Sequence, residues 1–196
     1  MTRTGHKQEF EKEAKSIKRA GINELLIHLE KTDFFTAPAS THFHGAHDEG
    51  LLLHSLSVLD VMTDFDKVLG LETERSKLVT CALFHDVCKA NFYAKEIRNK
   101  KIDGKWHEVE VWAVKDQFPM GHGEKSLFII QKFISLDDDE ALAIRWHMGS
   151  YDPGVHFNYP SGAACSQAMR QNKLLPLLTS ADLAASYLIE EWKEEK

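Results

Sequence analysis

The sequence has few cysteines, no long apolar run and no excess of basic residues, and each shortage removes a class of protein. Its three cysteines, Cys81, Cys88 and Cys165, are odd in number and form no CxxC pair. That excludes a disulfide framework and fits a reducing, cytoplasmic setting with buried thiols. No run of about 18 apolar residues occurs, so no membrane partner is expected. The segment MTRTGHKQEFEKEAK has no apolar stretch after its basic residues and does not read as a secretion signal. Lys and Arg number 24 against 30 Asp and Glu, a formal net charge of −6. A long nucleic-acid partner asks for a basic face to neutralise phosphates, so extended nucleic acid is not expected. A local pocket for one phosphate group, or for the end of a short RNA, remains compatible. The apolar fraction of 43% and charged fraction of 28% are otherwise ordinary.

Histidine is what the chain has in plenty, 11 in 196 residues. The pattern around these histidines is mainly helical. Phe10, Ala14, Ile17 and then Leu25, Leu26, Leu29 recur at helical spacing, predicting N-terminal helices within 8–31 broken near Gly21. Residues 33–49 read as a loop, 50–66 and 74–90 as strongly apolar helices. Residues 95–118 change period around Asp103-Gly104, which predicts an inserted β-hairpin. Helices resume at 123–135 and 138–148, the second capped by Asp137 with Glu140 three residues on. A Gly- and Pro-rich loop over 149–160 and helices at 161–172 and 174–193 complete one domain, residues 1–196. Leu127, Phe128, Ile129, Ile130 and Phe133 read as core, and so do Cys81 and Cys88, seven residues apart on one helix face.

A bare His-Asp pair proves nothing in a chain this rich in both residues. Context separates the two pairs present. His47-Asp48 lies in a polar loop, whereas His85-Asp86 sits among Cys81, Ala82, Leu83, Phe84 and Val87. A buried, unpaired carboxylate costs several kcal/mol (on the order of 3 or more) and takes up a proton unless a cation is near. His54 interrupts Leu51, Leu52, Leu53, Leu56, Val58 and Leu59, His147 ends the ALAIRWHM helix, and Asp182 stands in LLPLLTSADLAASYL. Imidazole and carboxylate donors together suit Mn, Fe, Co, Ni or Zn better than Mg or Ca. Without a conveniently placed thiolate, a closed structural zinc site is not expected.

The order His54, His85-Asp86, His122, His147, Asp182 resembles the H…HD…H…H…D series of the HD-domain superfamily. GLLLHSLSV resembles the GLLEHSL segment of its exoribonuclease-like and prophage-type members. FHDVCK is similar to the HD-x-G-K segment, with Cys88 where glycine is usual; GHGEKS, WHMG and SADLAA resemble the later motifs. The spacings are 31, 1, 36, 25 and 35 residues, and the resemblance runs from about residue 44 to 192. It implies a helical bundle with metals at its centre. His54, His85, Asp86 and Asp182 would hold one divalent transition metal, and His122 and His147 a second, bridged by Asp86. Some two-metal hydrolases of the superfamily carry His-His at the fourth position, where this chain has His147-Met148, so the second ion is expected to be held less tightly.

The function so implied is hydrolysis of a phosphoester in a nucleotide or nucleotide-like small molecule by a metal-activated water. Asp86 would orient that water. Lys89 would reach a substrate phosphate as a point charge, and His44 would touch substrate. The hairpin, with Lys115, Trp106 and Trp112, is expected to wall the substrate pocket. Two competing readings stand beside this one. Oxygenase branches of the superfamily hold a di-iron centre with the same ligand order. A non-catalytic nucleotide-sensing module would normally have lost ligands, and none of the six is missing here.

Overall fold

A computed structural model of the chain describes residues 3–157 and 159–190. The architecture is mainly α-helical with one inserted two-stranded hairpin. Helix α1 (Arg3–Ser16) and α2 (Ile22–Glu30) are separated where Gly21 takes a left-handed φ of 88°. A Cβ there would lie 1.8 Å from the Phe133 carbonyl oxygen, so glycine is required on two counts. The loop over 31–49 leads into α3 (Gly50–Leu69), and α4 (Arg75–Phe84) follows. Helix α1 docks on α3 and α4, with Phe10 5.8 Å from Phe84 between ring centres.

The predicted helix over 74–90 stops early. It ends at Phe84, and Val87–Lys89 form a single 3-10 turn behind Asp86 at φ −106°, ψ 17°. In an unbroken helix adjacent side chains diverge by about 100°; the break accompanies an approach of Asp86 Oδ2 to 3.6 Å from His85 Nε2. It also separates Cys81, within the apolar core, from Cys88, buried beside His122.

The hairpin pairs β1 (Tyr93–Ile102) with β2 (Lys105–Val114) in antiparallel register, Tyr93 opposite Val114 and Ile102 opposite Lys105. Asp103 and Gly104, with φ of 49° and 80°, make the two-residue turn whose twist matches the strands. Its outer half is exposed, Trp106 by 70%. Next come α5 (His122–Gln131) and α6 (Asp138–Trp146). Asp137 Oδ1 accepts from Glu140 N at 2.9 Å and Glu140 Oε2 accepts from Asp137 N at 3.0 Å, the expected capping box. Buried Glu140 is also gripped by both Arg19 nitrogens at 2.8 Å. Of the α5 cluster only Ile130 is fully buried; Phe128 is 39% exposed, with Lys132 Nζ 4.3 Å from its ring.

The expected loop over 149–160 is instead largely helical. Pro153 opens α7 (Pro153–Phe157), where its missing N–H costs nothing, and Asp152 Oδ1 accepts from Gly154 N at 2.8 Å. Helix α8 (Tyr159–Gln171) and α9 (Leu174–Ala184) follow; α9 runs into a π-helical turn, Ala185–Ile189. The last residues of the predicted final helix, 191–193, lie outside the described residues. Helix α9 packs on α3 and α6, which sets their inner faces around one point. No helix among the described residues is long and apolar enough to cross a membrane.

Candidate metal centre

Five segments deliver six side chains to that point. His54 comes from the second turn of α3 and Asp182 from the last turns of α9. His122 opens α5. His85 and His147 stand immediately after α4 and α6, and Asp86 follows His85. His54, His85, Asp86 and His147 are buried to 2% exposure or less. The side chain of His122 is 24% exposed and that of Asp182 18%.

Asp86 is the hub. Its Oδ1 lies 2.7 Å from His122 Nε2 and 3.6 Å from His147 Nε2. Its Oδ2 lies 3.6 Å from His85 Nε2, 3.7 Å from His54 Nε2 and 2.6 Å from Lys89 Nζ. Asp182 Oδ1 stands 3.3 Å from His54 Nε2, which is itself 3.3 Å from His85 Nε2.

Helix ends orient two of the rings. The last carbonyls of a helix have no intrahelical donor. His85 Nδ1 donates to the Ala82 carbonyl at 2.9 Å and His147 Nδ1 to the Ile144 carbonyl at 2.7 Å, each three residues back. Each ring is thereby fixed as the tautomer whose Nε2 lone pair faces inward, the arrangement metal-ligating histidines use. His147 Nε2 is buried with no hydrogen-bond partner among the described residues. A buried nitrogen lone pair aimed at a carboxylate is costly unless a cation lies between.

Electrostatics point the same way. Burial lowers His85 to a pKa of about 4, keeping it neutral. Burial also opposes protonation of His54, but the carboxylates of Asp182 and Glu190 overcome it and raise the ring to about 10. His122 rises to about 10 against burial because Cys88 and Asp86 lie beside it. Asp86 is held well below the usual carboxylate range, burial notwithstanding, by Lys89, His85 and His122. Protons on His54 and His122 thus offset the negative charge at the centre, a task a divalent cation performs when it replaces them. His54, His85 and Asp86 offer atoms within 4.8 Å of one another, as do His85, His147 and Asp182, and as do Asp86, Cys88 and His122. These donor sets fit a divalent transition metal.

Glu190 was not anticipated. Its Oε1 lies 2.8 Å from His54 Nδ1, the outer-face partner that His85 and His147 find in backbone carbonyls. It reaches His54 because the π-helical turn ends there, with Glu190 N donating to the Ala185 carbonyl at 3.0 Å. A lone acid in a charged C-terminal stretch carries no periodic signal, so the sequence offered nothing to single it out.

A cleft of about 330 Å³ opens onto the cluster. Asp86, Asp182, His147, Lys89 and His44 line its polar part, and Phe43, Tyr151 and Tyr187, each more than half exposed, stand at its rim. Burial and the neighbouring charge on His54 lower His44 to about 4, so it faces the cleft as a neutral ring 5.0 Å from His54. Lys115 is not among the cleft-lining residues; its Nζ pairs with Glu96 Oε2 at 3.5 Å. Nor is Trp112, which lies half-buried with Lys95 Nζ 5.1 Å from its ring.

Comparison with known proteins agrees with this geometry. No solved structure matches the chain. Among curated proteins, a dihydroneopterin 2',3'-cyclic phosphate phosphodiesterase from Methanocaldococcus jannaschii is 34% identical over 93 residues. The match takes in 45% of this chain and 35% of that relative, so the chain spans about a third of the relative's length. The HD domain family model matches residues 51–185, a span that begins in α3, ends just past α9 and contains all six clustered residues. On that match, which covers more than half of its length, the chain belongs to the HD domain family.

Proposed function

We propose that the protein is a metal-dependent phosphohydrolase acting on a small phosphorylated molecule with a flat heterocycle, a nucleotide or a close analogue. The observation that carries this reading is the cluster of His54, His85, Asp86, His122, His147 and Asp182, of which Asp86, His147 and Asp182 line a cleft with an aromatic rim. The relative's cyclic phosphate substrate, a phosphoester on a pterin, is of the same chemical kind.

His54, His85, Asp86 and Asp182 would hold one divalent ion, and His122 and His147, with Asp86 between, a second. Ions so held supply a water of lowered pKa and polarise the phosphoryl group. The chain's own side chains do the rest. Asp86, acceptor-only and fully desolvated, orients the attacking water by accepting its hydrogen bond. Lys89 Nζ, 2.6 Å from Asp86 Oδ2 and lining the cleft, would bind a phosphate oxygen as a point charge. Neutral His44 hydrogen-bonds the substrate without adding charge. Phe43, Tyr151 and Tyr187 stack on the heterocycle and exclude water from the scissile bond.

The test is a panel of nucleotides, 2',3'-cyclic nucleotides, pterin phosphates and short RNA, with Mn, Fe, Co, Ni or Zn supplied. The expected result is release of phosphate or a ring-opened monoester from small substrates, dependent on metal. No hydrolysis of any of them would refute the reading. Oxygen uptake with iron loaded would replace it by oxygenase chemistry.

A further inference from the structure

Cys88 stands at the position where the HD-x-G-K segment usually has glycine. The sequence makes it a core thiol, but the break after α4 places it elsewhere. It is 3% exposed, with its Sγ 3.5 Å from His122 Nδ1 and 3.7 Å from His122 Nε2. Its backbone N–H donates to Ser126 Oγ on α5 at 3.2 Å, which holds the 3-10 turn against the helix that carries His122. Sγ, an Asp86 oxygen and a His122 nitrogen all lie within 4.8 Å of one another. A separate observation concerns the same Asp86 carboxylate. His147 Nε2, buried and without a hydrogen-bond partner among the described residues, lies 3.6 Å from Asp86 Oδ1, and its ring centre is 5.1 Å from that of His122. His122 and His147 therefore both face Asp86 Oδ1, with Cys88 Sγ beside His122.

We infer that Cys88 is a thiolate ligand of the second cation, completing with Asp86, His122 and His147 a mixed oxygen, nitrogen and sulfur site selective for thiophilic ions, zinc or cobalt, over manganese. The inference rests on the proposed reading of the centre as a cation site and adds a ligand to it. On binding, the Sγ–H proton passes to solvent as the sulfur–metal bond forms; nothing is oxidised or reduced. A soft sulfur donor raises affinity for zinc and cobalt far more than for manganese, which is satisfied by oxygen and imidazole. It also supplies a ligand from the neighbouring turn where the chain has Met148 rather than a further histidine.

Cobalt reports on this directly. The whole protein is stripped, reloaded with two equivalents of Co(II), and its absorption recorded. A near-ultraviolet sulfur-to-cobalt charge-transfer band is expected beside the visible d–d bands. Cys88→Ser should lose the first and keep the second, with zinc affinity down at least about tenfold and manganese affinity nearly unchanged. Cys165→Ser should keep both bands, since Cys165 joins none of the metal-capable groups among the described residues. Visible bands without a charge-transfer band in the unaltered protein would overturn the inference while leaving the cation site intact. So would an undiminished band in Cys88→Ser. Failure to bind cobalt at all would overturn the cation reading and this one together. The spectrum of the unaltered protein decides the matter even if a variant does not fold.

Discussion

Gly123→Ala should disable one half of the centre without touching any ligand. Helix α5 approaches α6 so closely that a Cβ on residue 123 would lie 2.0 Å from the Arg145 carbonyl oxygen and 2.7 Å from its carbon. Real Cβ contacts stay beyond 3.0 Å, so the helices must part by about 1 Å. His122 precedes Gly123 and reaches Asp86 Oδ1 at 2.7 Å; His147 lies two residues after Arg145. Ligand distances tolerate only about 0.2 Å, so a shift of this size removes His122 from a shared cation. The ion at Asp86, His122 and His147 should weaken by about 10- to 100-fold, as when other supports of metal ligands are lost. The ion at His54, His85 and Asp182 should stay, because none of these three residues lies on α5 or α6. The overpacking itself costs about 1–3 kcal/mol, and each kcal/mol lowers the melting temperature of a chain this size by about 2–4 °C. Elemental analysis across graded chelator concentrations, with a melting curve for each sample, reads both effects. A variant that melts earlier yet keeps both ions at unaltered affinity would refute the claim that Gly123 positions His122.

The remaining expectations follow from single contacts. Asp86→Ala removes the carboxylate that four histidines and Lys89 face, so hydrolysis and most bound metal should vanish while the helical circular-dichroism signal persists; full metal content would contradict the bridging role. Glu190→Gln keeps the shape but not the charge opposite His54 Nδ1, and should weaken the first ion by about 10- to 100-fold with the second unaffected, as metal titration would show. Because His54 and His122 are raised to about 10, both carry protons at neutral pH in the cation-free protein. Binding must expel those protons, so affinity should climb as pH rises toward that value. Calorimetry in buffers of different ionisation enthalpy should find more than one proton released, and zero release would count against these residues as ligands. Stripping the metal should lower the melting temperature and re-addition restore it, since His147 Nε2 is left without a partner; an unchanged curve would mean the cluster satisfies itself.

The sequence was enough for most decisions that depend on neighbours along the chain, though not for α7, whose Asp152 cap and Pro153 start read as loop. Leu51, Leu52, Val58 and Leu59 recur at helical spacing, so α3 was legible. Asp103-Gly104 set the hairpin turn, Asp137 and Glu140 the capping box, and Gly21 the break between α1 and α2. The candidate site was legible because imidazoles and carboxylates in apolar helices are too costly to be idle, and because their order matches a known series. Tertiary structure decided what depends on direction. Helix α4 ends at Phe84, and the turn that follows is held to α5 by Cys88 N donating to Ser126 Oγ at 3.2 Å, a contact no local propensity announces. The same break moved Cys88 from the core face beside Cys81 to within 3.5 Å of His122. The cleft rim went to Phe43, Tyr151 and Tyr187 rather than to the hairpin tryptophans, since a hairpin packs where its root points, and strand pairing alone leaves that undetermined. Glu190 became the partner of His54 through a π-helical turn, 136 residues away in sequence. Periodicity fixes which face of an element is apolar; only the packing of several such faces fixes which polar atoms meet.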